Sequence, residues 1–410
     1  MKLLQVISSM HPRTGGTCQA VRALSSQIVE QGNSVEVVCL DDPNSEFLAH
    51  EAVPVHALGQ GRGPWEYHPA LPLWLARNLP RFDAVILNGL WQHAGYALGK
   101  AAQRPDSPPY FVFPHGMLDP WFQNTPGRRI KAFRNWLYWK LIERRVIHNA
   151  GGILFTCAEE MRLARETFRP YHPQRQLTVS LGTPRPPKHQ AQMAEVFRQK
   201  CPGLEDKPFF LFLGRIDSKK GVDILIDAYA ETCRSTPEAQ RRLLPRLVMA
   251  GPAVDTEFGD EMKAHSAKCC PPGYVLWPGM LTGDAKWGAL YRAEAFVLPS
   301  HQENFGIAVV EALACGTPVL ISNRINIWRE IAEDEAGLTA SDTLDGTRDF
   351  FRRWLDLSPE AKAAMGRAAE KSYESRFTIE LAAQNLLTAI ERLMPLPQPK
   401  PLRESIESTA

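Results

Sequence analysis

The chain has 410 residues, 44% of them apolar and 22% charged, and a formal net charge of +2. That length exceeds one ordinary domain of ~100–200 residues, and a near-neutral total implies no strong polyanion partner, nucleic acid included. No stretch approaches the ~18 consecutive apolar residues of a spanning helix, and none of the eight cysteines forms a C-x-x-C pair, which argues against a zinc knuckle or thioredoxin-like site and fits a reducing compartment.

The chain opens with "MKLLQVISS". The apolar part is too short for a signal peptide and no small-residue cleavage site follows, so it reads as a first strand. "SSMHPRTGGTCQAV" (8–21) comes next. Its Gly15 and Gly16 allow positive φ and close backbone approach, but the spacing is not G-x-G-x-x-G, and an ordinary strand–helix turn explains it as well. "SVEVVCL", "DAVILN", "YFVFP", "GGILFT" and "LTVSL" continue the strands, with helical stretches such as 19–31 between them. "FVFPHGMLDPW" (111–121) puts His115 and Gly116 just past a strand's carboxyl end, where open α/β sheets place their chemistry; a lone histidine there can also be structural.

The stretch 128–146 is basic and aromatic. Arg128, Arg129, Lys131, Arg134, Lys140, Arg144 and Arg145 are interleaved with Phe133, Trp136, Leu137, Tyr138 and Trp139. Such a helix can lie on an anionic membrane, or can be a core helix with a solvated basic face. A polar, proline-containing segment at 186–207 reads as a linker carrying a short helix near 193–199.

A second series of strands follows: "FFLFLG", "RLVMAG", "YVLWPG", "AFVLPS" and "PVLIS". Strands alternating with helices in both halves predict parallel sheets covered on both faces. "LGRIDSKKGVDIL" (213–225) places Gly214, Arg215 and Lys220 at a strand–helix turn. Two cations beside a helix start can hold a pyrophosphate, although two solvated surface cations would look the same. "HQENFGIAVVEALACGTP" (301–318) is sharper. Glu303 sits on the loop leaving a strand, and Glu311 sits inside the helix that follows, which Gly316 and Pro318 close. The end of the chain, 395–410, is proline-rich and polar and is expected to be a disordered tail.

Glu303 and Glu311 within "PSHQENFGIAVVEALACGTPV", with "GRIDSKKG" upstream, resemble the signature of the family 4 glycosyltransferases (glycosyl transferases group 1), of exopolysaccharide and lipopolysaccharide type. The resemblance implies the GT-B fold: two Rossmann-like, doubly wound parallel-sheet domains facing a central cleft. It implies an acceptor domain at 1–185, the linker at 186–207, a nucleotide-sugar donor domain at 208–376 and a helix at 377–394 that packs back on the first domain. It further implies a retaining hexosyltransferase. A sugar would pass from a UDP- or GDP-sugar to a glycan or lipid-linked acceptor, in cell-surface polysaccharide synthesis.

In that resemblance Glu303 contacts donor-sugar hydroxyls and Glu311 the ribose. Backbone N–H groups of Asn304, Phe305, Gly306 and Ile307 meet the phosphate or sugar, and Arg215 and Lys220 neutralise the leaving diphosphate. His115 lines the reacting face from the other domain, and Gly15, Gly16 and Gly214 allow close approach to the donor. "YVLWPGML", ending in Met280 and Leu281, resembles the base-binding strand and loop. No cofactor is implied beyond the donor itself, and no essential metal, since no Asp-x-Asp stands where it would serve a metal-bound diphosphate. A cytoplasmic location is implied, with peripheral contact at the inner face of the membrane through 128–146. The chain departs from the family at "SLGTP", at "LNGLWQH" and at "NRINIWREI", where Glu330 is the match for a glutamate usually preceded by Gly-Gly. Other GT-B enzymes (a phosphorylase or a sugar-nucleotide epimerase) and a non-catalytic nucleotide-sugar binder are the alternatives.

Overall fold

The computed structural model describes residues 1–125 and 127–394; the tail expected at 395–410 lies outside the described residues. The first half forms β1 (Lys2–Val6), β2 (Ser34–Cys39), β3 (Val55–Ala57), β4 (Ala84–Asn88), β5 (Tyr110–Phe113), β6 (Gly152–Phe155) and β7 (Gln176–Thr178). The second forms β8 (Phe209–Leu213), β9 (Arg246–Ala250), β10 (Val275–Gly279), β11 (Ala295–Leu298), β12 (Val319–Ser322) and β13 (Gly337–Ala340). They make a seven-stranded sheet in the order β3-β2-β1-β4-β5-β6-β7 and a six-stranded sheet in the order β10-β9-β8-β11-β12-β13. Every ladder pairing within them is parallel.

The sequence explains the layering. "AVILN" of β4 and "FFLFL" of β8 are buried at every position, as parallel strands covered on both faces must be. The covering helices are amphipathic: Gly16–Glu30 buries Val21, Leu24 and Ile28 on one face. In each sheet the strand order reverses once, between β1 and β4 and between β8 and β11. A crevice opens at the carboxyl ends of the strands on either side of such a reversal. The loops after β1, β8 and β11 carry Gly15 and Gly16, Arg215 and Lys220, and Glu303. His115 follows β5, one strand further out. The topology itself therefore gathers residues that are nearly 300 positions apart.

Two segments differ from expectation. The stretch 186–207 is more than a linker: its helix Ala191–Lys200 buries Met193 and Phe197 and packs on the helix Gly283–Arg292, so it belongs to the second unit's core. The basic stretch 128–146 is helical from Arg129 onward but not α-helical throughout. It is a helix Arg129–Tyr138, a π-helical turn Trp139–Glu143 and a helix Arg144–Asn149. Its inner side is core, with Trp139 and Glu143 fully buried, while Ile130, Phe133, Trp136, Leu137 and Leu141 are exposed. The final helix, Ile379–Leu393, lies against Gly16–Glu30. Thr183 holds the crossing: its N–H donates to Phe377 O and its carbonyl accepts from Ile379 N–H.

Candidate active site

A cavity of about 340 Å³ lies where the two sheets face each other. The second domain supplies most of its wall: Gly214, Lys219, Lys220, Gln302, Glu303, Asn304 and the helix start at Gly306, Ile307 and Ala308. The first supplies Gly16, Thr17 and His115. A second cavity adjoins it and shares Gly16, Lys219, Lys220 and Glu303; Gly15 and Arg215 line that one.

The loop after β11 is held by backbone hydrogen bonds to its neighbour. Glu303 N–H donates to Arg324 O and Asn326 N–H donates to Glu303 O, both at 3.0 Å, which ties this loop to the one after β12. Its side chain pairs with Lys220, and both partners are mostly shielded from solvent. Gly306 starts the helix Ile307–Ala314 with φ +76°, a conformation that suits glycine. The first residues of the helix, Ile307 and Ala308, line the cavity, and their N–H groups have no intrahelical acceptors. The side chain of Phe305 instead packs in the core against Phe377, leaving only its backbone for the cavity.

His115 stands opposite at φ +51°. Its Nε2 is 2.9 Å from Asn88 Oδ1, and Asn88 Nδ2 donates to Gln5 Oε1 at 2.7 Å. Because the Asn88 amide group also faces Ile86 O, its oxygen is the atom left for His115, which makes Nε2 the donor. The ring stacks on Phe113 at 4.2 Å between centroids. Burial pushes its pKa down to about 3, so the imidazole is neutral and Nδ1 carries a free lone pair.

The domains meet through polar contacts beside the cavity. Gln302 Nε2 donates to Asp119 Oδ2 (3.1 Å), Asn304 Nδ2 donates to Thr156 Oγ1 (3.3 Å), and Arg329 pairs with Glu159. A Cβ on Gly116 would sit 2.7 Å from the Asn304 side chain, so the glycine makes room for that side chain. Lys219 Nζ lies 5.4 and 5.3 Å from the ring centres of Trp121 and Phe122, which form a lip from the first domain. Burial under that lip pulls its pKa below the usual lysine value.

The structure thus brings together Gly15, Gly16, His115, Gly214, Arg215, Lys220 and Glu303 with the stretch 304–307. It separates others. Glu311 lies 2.6 Å from Lys286 and lines a different cavity, of about 700 Å³, that shares Ile307. Met280 is exposed and Leu281 buried, and neither lines these three cavities. Glu330 is also outside them; it is shielded, and burial raises its pKa.

Sequence reasoning missed Lys219, Asn88 and Glu160. Lys219 was within reach, as the other lysine of "SKKG". Glu160 gave no signal, since "AEE" after a strand looks like ordinary acidic residues at a helix start. In the fold its carboxylate accepts from Gly116 N–H, from Thr156 N–H and from Thr156 Oγ1, at 2.5, 2.7 and 2.7 Å. It therefore fixes the His115 turn and, through Thr156, the Asn304 side chain.

Comparison with known proteins agrees with the paired-sheet fold. Residues 15–182 match the glycosyl transferase 4-like domain, and residues 194–372 match glycosyl transferases group 1. The D-inositol 3-phosphate glycosyltransferase of Segniliparus rotundus is 31% identical over 215 residues, which cover 52% of this chain and 44% of that protein. The lipopolysaccharide core biosynthesis mannosyltransferase LpsB of Rhizobium meliloti is 28% identical over 204 residues, covering 48% and 55%. The matched region thus spans about half the length of these curated relatives. Anabaena HepE, solved in complex with UDP and glucose, superposes with a TM-score of 0.73 at 15% identity, over 96% of this chain and all of that one. The two domain matches and the paired parallel sheets place the chain in the glycosyl transferases group 1 family, with the GT-B fold.

Proposed function

We propose that the protein transfers a hexosyl group, with retention, from a UDP- or GDP-sugar to a glycan or lipid-linked acceptor of cell-surface polysaccharide. One observation carries this reading. Lys219, Lys220, Arg215, Glu303 and a helix start converge on one edge of the cleft and face a neutral histidine on the other. A diphosphate is held by cations and backbone N–H groups, and a sugar by a carboxylate. HepE, with the same fold, holds UDP and glucose, and LpsB is a mannosyltransferase; both fit this donor class.

In this reading Glu303 exchanges Lys220 for donor-sugar hydroxyls, which frees the lysine for the leaving diphosphate. Glu311 exchanges Lys286 for the ribose hydroxyls. Lys219, Lys220 and Arg215 stabilise the charge that develops as the bond from anomeric carbon to phosphate oxygen breaks. The acceptor oxygen adds on the same face, and its proton passes to the departing phosphate oxygen. His115 Nδ1 accepts from a hydroxyl of the sugar or acceptor. The test is release of nucleoside diphosphate from UDP-, GDP- and ADP-sugars, with product anomeric configuration read by proton NMR. Turnover that persists in EDTA agrees with cations acting in place of a metal; loss on chelation, restored by magnesium or manganese, counts against it. A pure binder releases no nucleotide at all.

The acceptor side of the reading rests on the helix Arg129–Tyr138 and the turn after it. Ile130, Phe133, Leu137 and Leu141 recur at helical spacing and are 89, 65, 43 and 60% exposed, flanked by the exposed cations Arg129, Lys131 and Lys140. An exposed apolar stripe with a basic border suits an anionic lipid surface, where each cation contributes roughly 1 kcal/mol. Among the described residues no helix is long and apolar enough to cross a membrane, so contact at this face would be peripheral. Wild-type protein is expected to co-sediment with phosphatidylglycerol vesicles at low salt, and Phe133→Ser with Lys131→Gln to bind much less. Absence of wild-type binding at low salt retires the membrane contact.

A further inference from the structure

Three metal-ligating side chains converge outside the cleft cavities, on two helices of the second domain. Asp227 lies on the helix Val222–Ser235. His265 and Cys269 lie on the helix Glu257–Cys269, which packs beside it. A spacing of four residues puts the histidine and the cysteine on one helix face, and that face meets Asp227. Asp227 Oδ1 is 2.6 Å from His265 Nε2. The carboxylate oxygen, the ring nitrogen and the sulfur all lie within 4.8 Å of one another. We propose that Asp227, His265 and Cys269 form a binding site for a soft divalent cation, of which zinc is the best match.

The donor set selects the metal. A thiolate and an imidazole favour zinc over magnesium or calcium, which take oxygen ligands. A tetrahedral zinc ion with bonds of roughly 2.0–2.3 Å holds its ligand atoms about 3–4 Å apart. The present separations need only small rotamer adjustments to reach that. All three residues are half-buried, so the ion has a path in and a fourth position open to water. The metal takes the place of the hydrogen between Asp227 and His265: a neutral ring moves its one proton to Nδ1, and a protonated ring releases its Nε2 proton to solvent. The imidazole binds in its neutral form and Cys269 gives its proton to solvent, so at least one proton is released per ion. The neighbouring Cys270 has its sulfur 3.8 Å from that of Cys269, but it is buried and outside the triad. A simpler account is that the Asp227–His265 contact merely ties two helices together, with Cys269 nearby by accident. The two accounts differ in whether the sulfur takes part.

Cobalt reports on that directly. Reduced wild-type protein with one equivalent of cobalt should show a thiolate-to-cobalt charge-transfer band and the strong visible bands of a four-coordinate ion, both lost on adding zinc. Cys269→Ser should abolish the charge-transfer band. His265→Ala and Asp227→Asn should each weaken cobalt binding by roughly 100-fold, the upper end of what even an outer partner of a metal ligand is worth. Cys270→Ser should keep the spectrum. The same experiment on unmutated protein guards against misfolded variants: zinc should protect Cys269 from iodoacetamide, read by peptide mass spectrometry. No charge-transfer band in the wild type, a band that survives in His265→Ala at full affinity, or one that follows Cys270 instead of Cys269 overturns the proposal. None of these readouts depends on the reading of the cleft.

Discussion

The two edges of the cleft follow different electrostatic plans. The second domain's edge is ionic. Lys220 pairs with Glu303, with Lys219 and Arg215 beside them, and Lys286 pairs with Glu311 on the separate cavity that shares Ile307. The first domain's edge is less ionic around His115, although Glu159 beside it pairs with Arg329 and Arg128 lines the adjoining cavity. Burial holds the His115 pKa near 3, raises those of Asp119 and Glu160, and behind them pushes that of Glu143 to about 8. An ionic edge can exchange internal pairs for the charges and hydroxyls of a nucleotide sugar. A neutral edge can orient hydroxyl groups without competing for the phosphates. On the function proposed above, the second domain binds the charged donor and the first places uncharged groups.

The strongest way to break that contrast is to remove charge from the ionic edge. Lys220→Met is expected to lower turnover by ~10²–10³-fold, the scale of losing one electrostatic stabiliser of a transition state. Glu303→Ala is expected to cost less, about 10–100-fold, since charge-assisted hydrogen bonds to the sugar contribute ~1.5–3 kcal/mol each. The Glu303 variant should keep most of its affinity for nucleoside diphosphate, measured by calorimetry, because that carboxylate is assigned to the sugar. Equal losses of nucleotide affinity and of turnover would show that the assignment is wrong.

Glu311 sharpens the same edge with a smaller effect. Glu311→Gln keeps the shape but weakens the contact proposed for the ribose. Nucleotide affinity is expected to fall by about tenfold, with a matching loss of preference for ribo- over 2′-deoxyribonucleotide. A variant that still discriminates as well as wild type leaves Glu311 as the helix-face partner of Lys286 and nothing more.

The contrast also explains what was legible in the sequence. The ionic edge was, because its residues sit in short contiguous motifs. "GRIDSKKG" and "QENFG" each follow a strand, and the order of β8 and β11 brings the two loops together. The alternation of strands and helices gave both sheets for the same reason: each element's burial pattern is local. The neutral edge was not legible. The Gln5–Asn88–His115 relay joins three different strand ends, and Glu160 reaches Gly116 from a later helix. No spacing rule connects such residues before the sheet order is known. The stretch 128–146 shows the limit from another side. Its composition offered a membrane-lying helix or a core helix with a solvated basic face; the structure buries Trp139 in the core at the π-helical turn Trp139–Glu143 and leaves Leu141 exposed, and burial alone does not decide what the exposed side meets.

Glu143 gives the subtlest test, of the neutral edge alone. Its Oε2 accepts from Trp91 N–H at 3.0 Å, its Oε1 has no partner among the described residues, and both are buried under the π-helical turn. Its folded value of about 8 lies above the ordinary 4.5, and burial is the cause. The sign follows. Below pH 4.5 the side chain is protonated in both states and contributes no pH dependence. Between 4.5 and about 8 the unfolded chain releases a proton that the folded protein keeps, so stability falls as pH rises. Above that window the loss is complete and the dependence on this group ends. Glu143→Gln presents the same shape as the protonated acid, with its oxygen still able to accept from Trp91 N–H. The variant is therefore expected to lose this part of the pH slope and to gain stability relative to wild type toward the alkaline end. Urea midpoints at several pH values across the window measure it, provided the slope m is unchanged. If wild type and variant keep the same pH slope, Glu143 titrates normally and the first domain's neutrality does not extend behind the cleft edge.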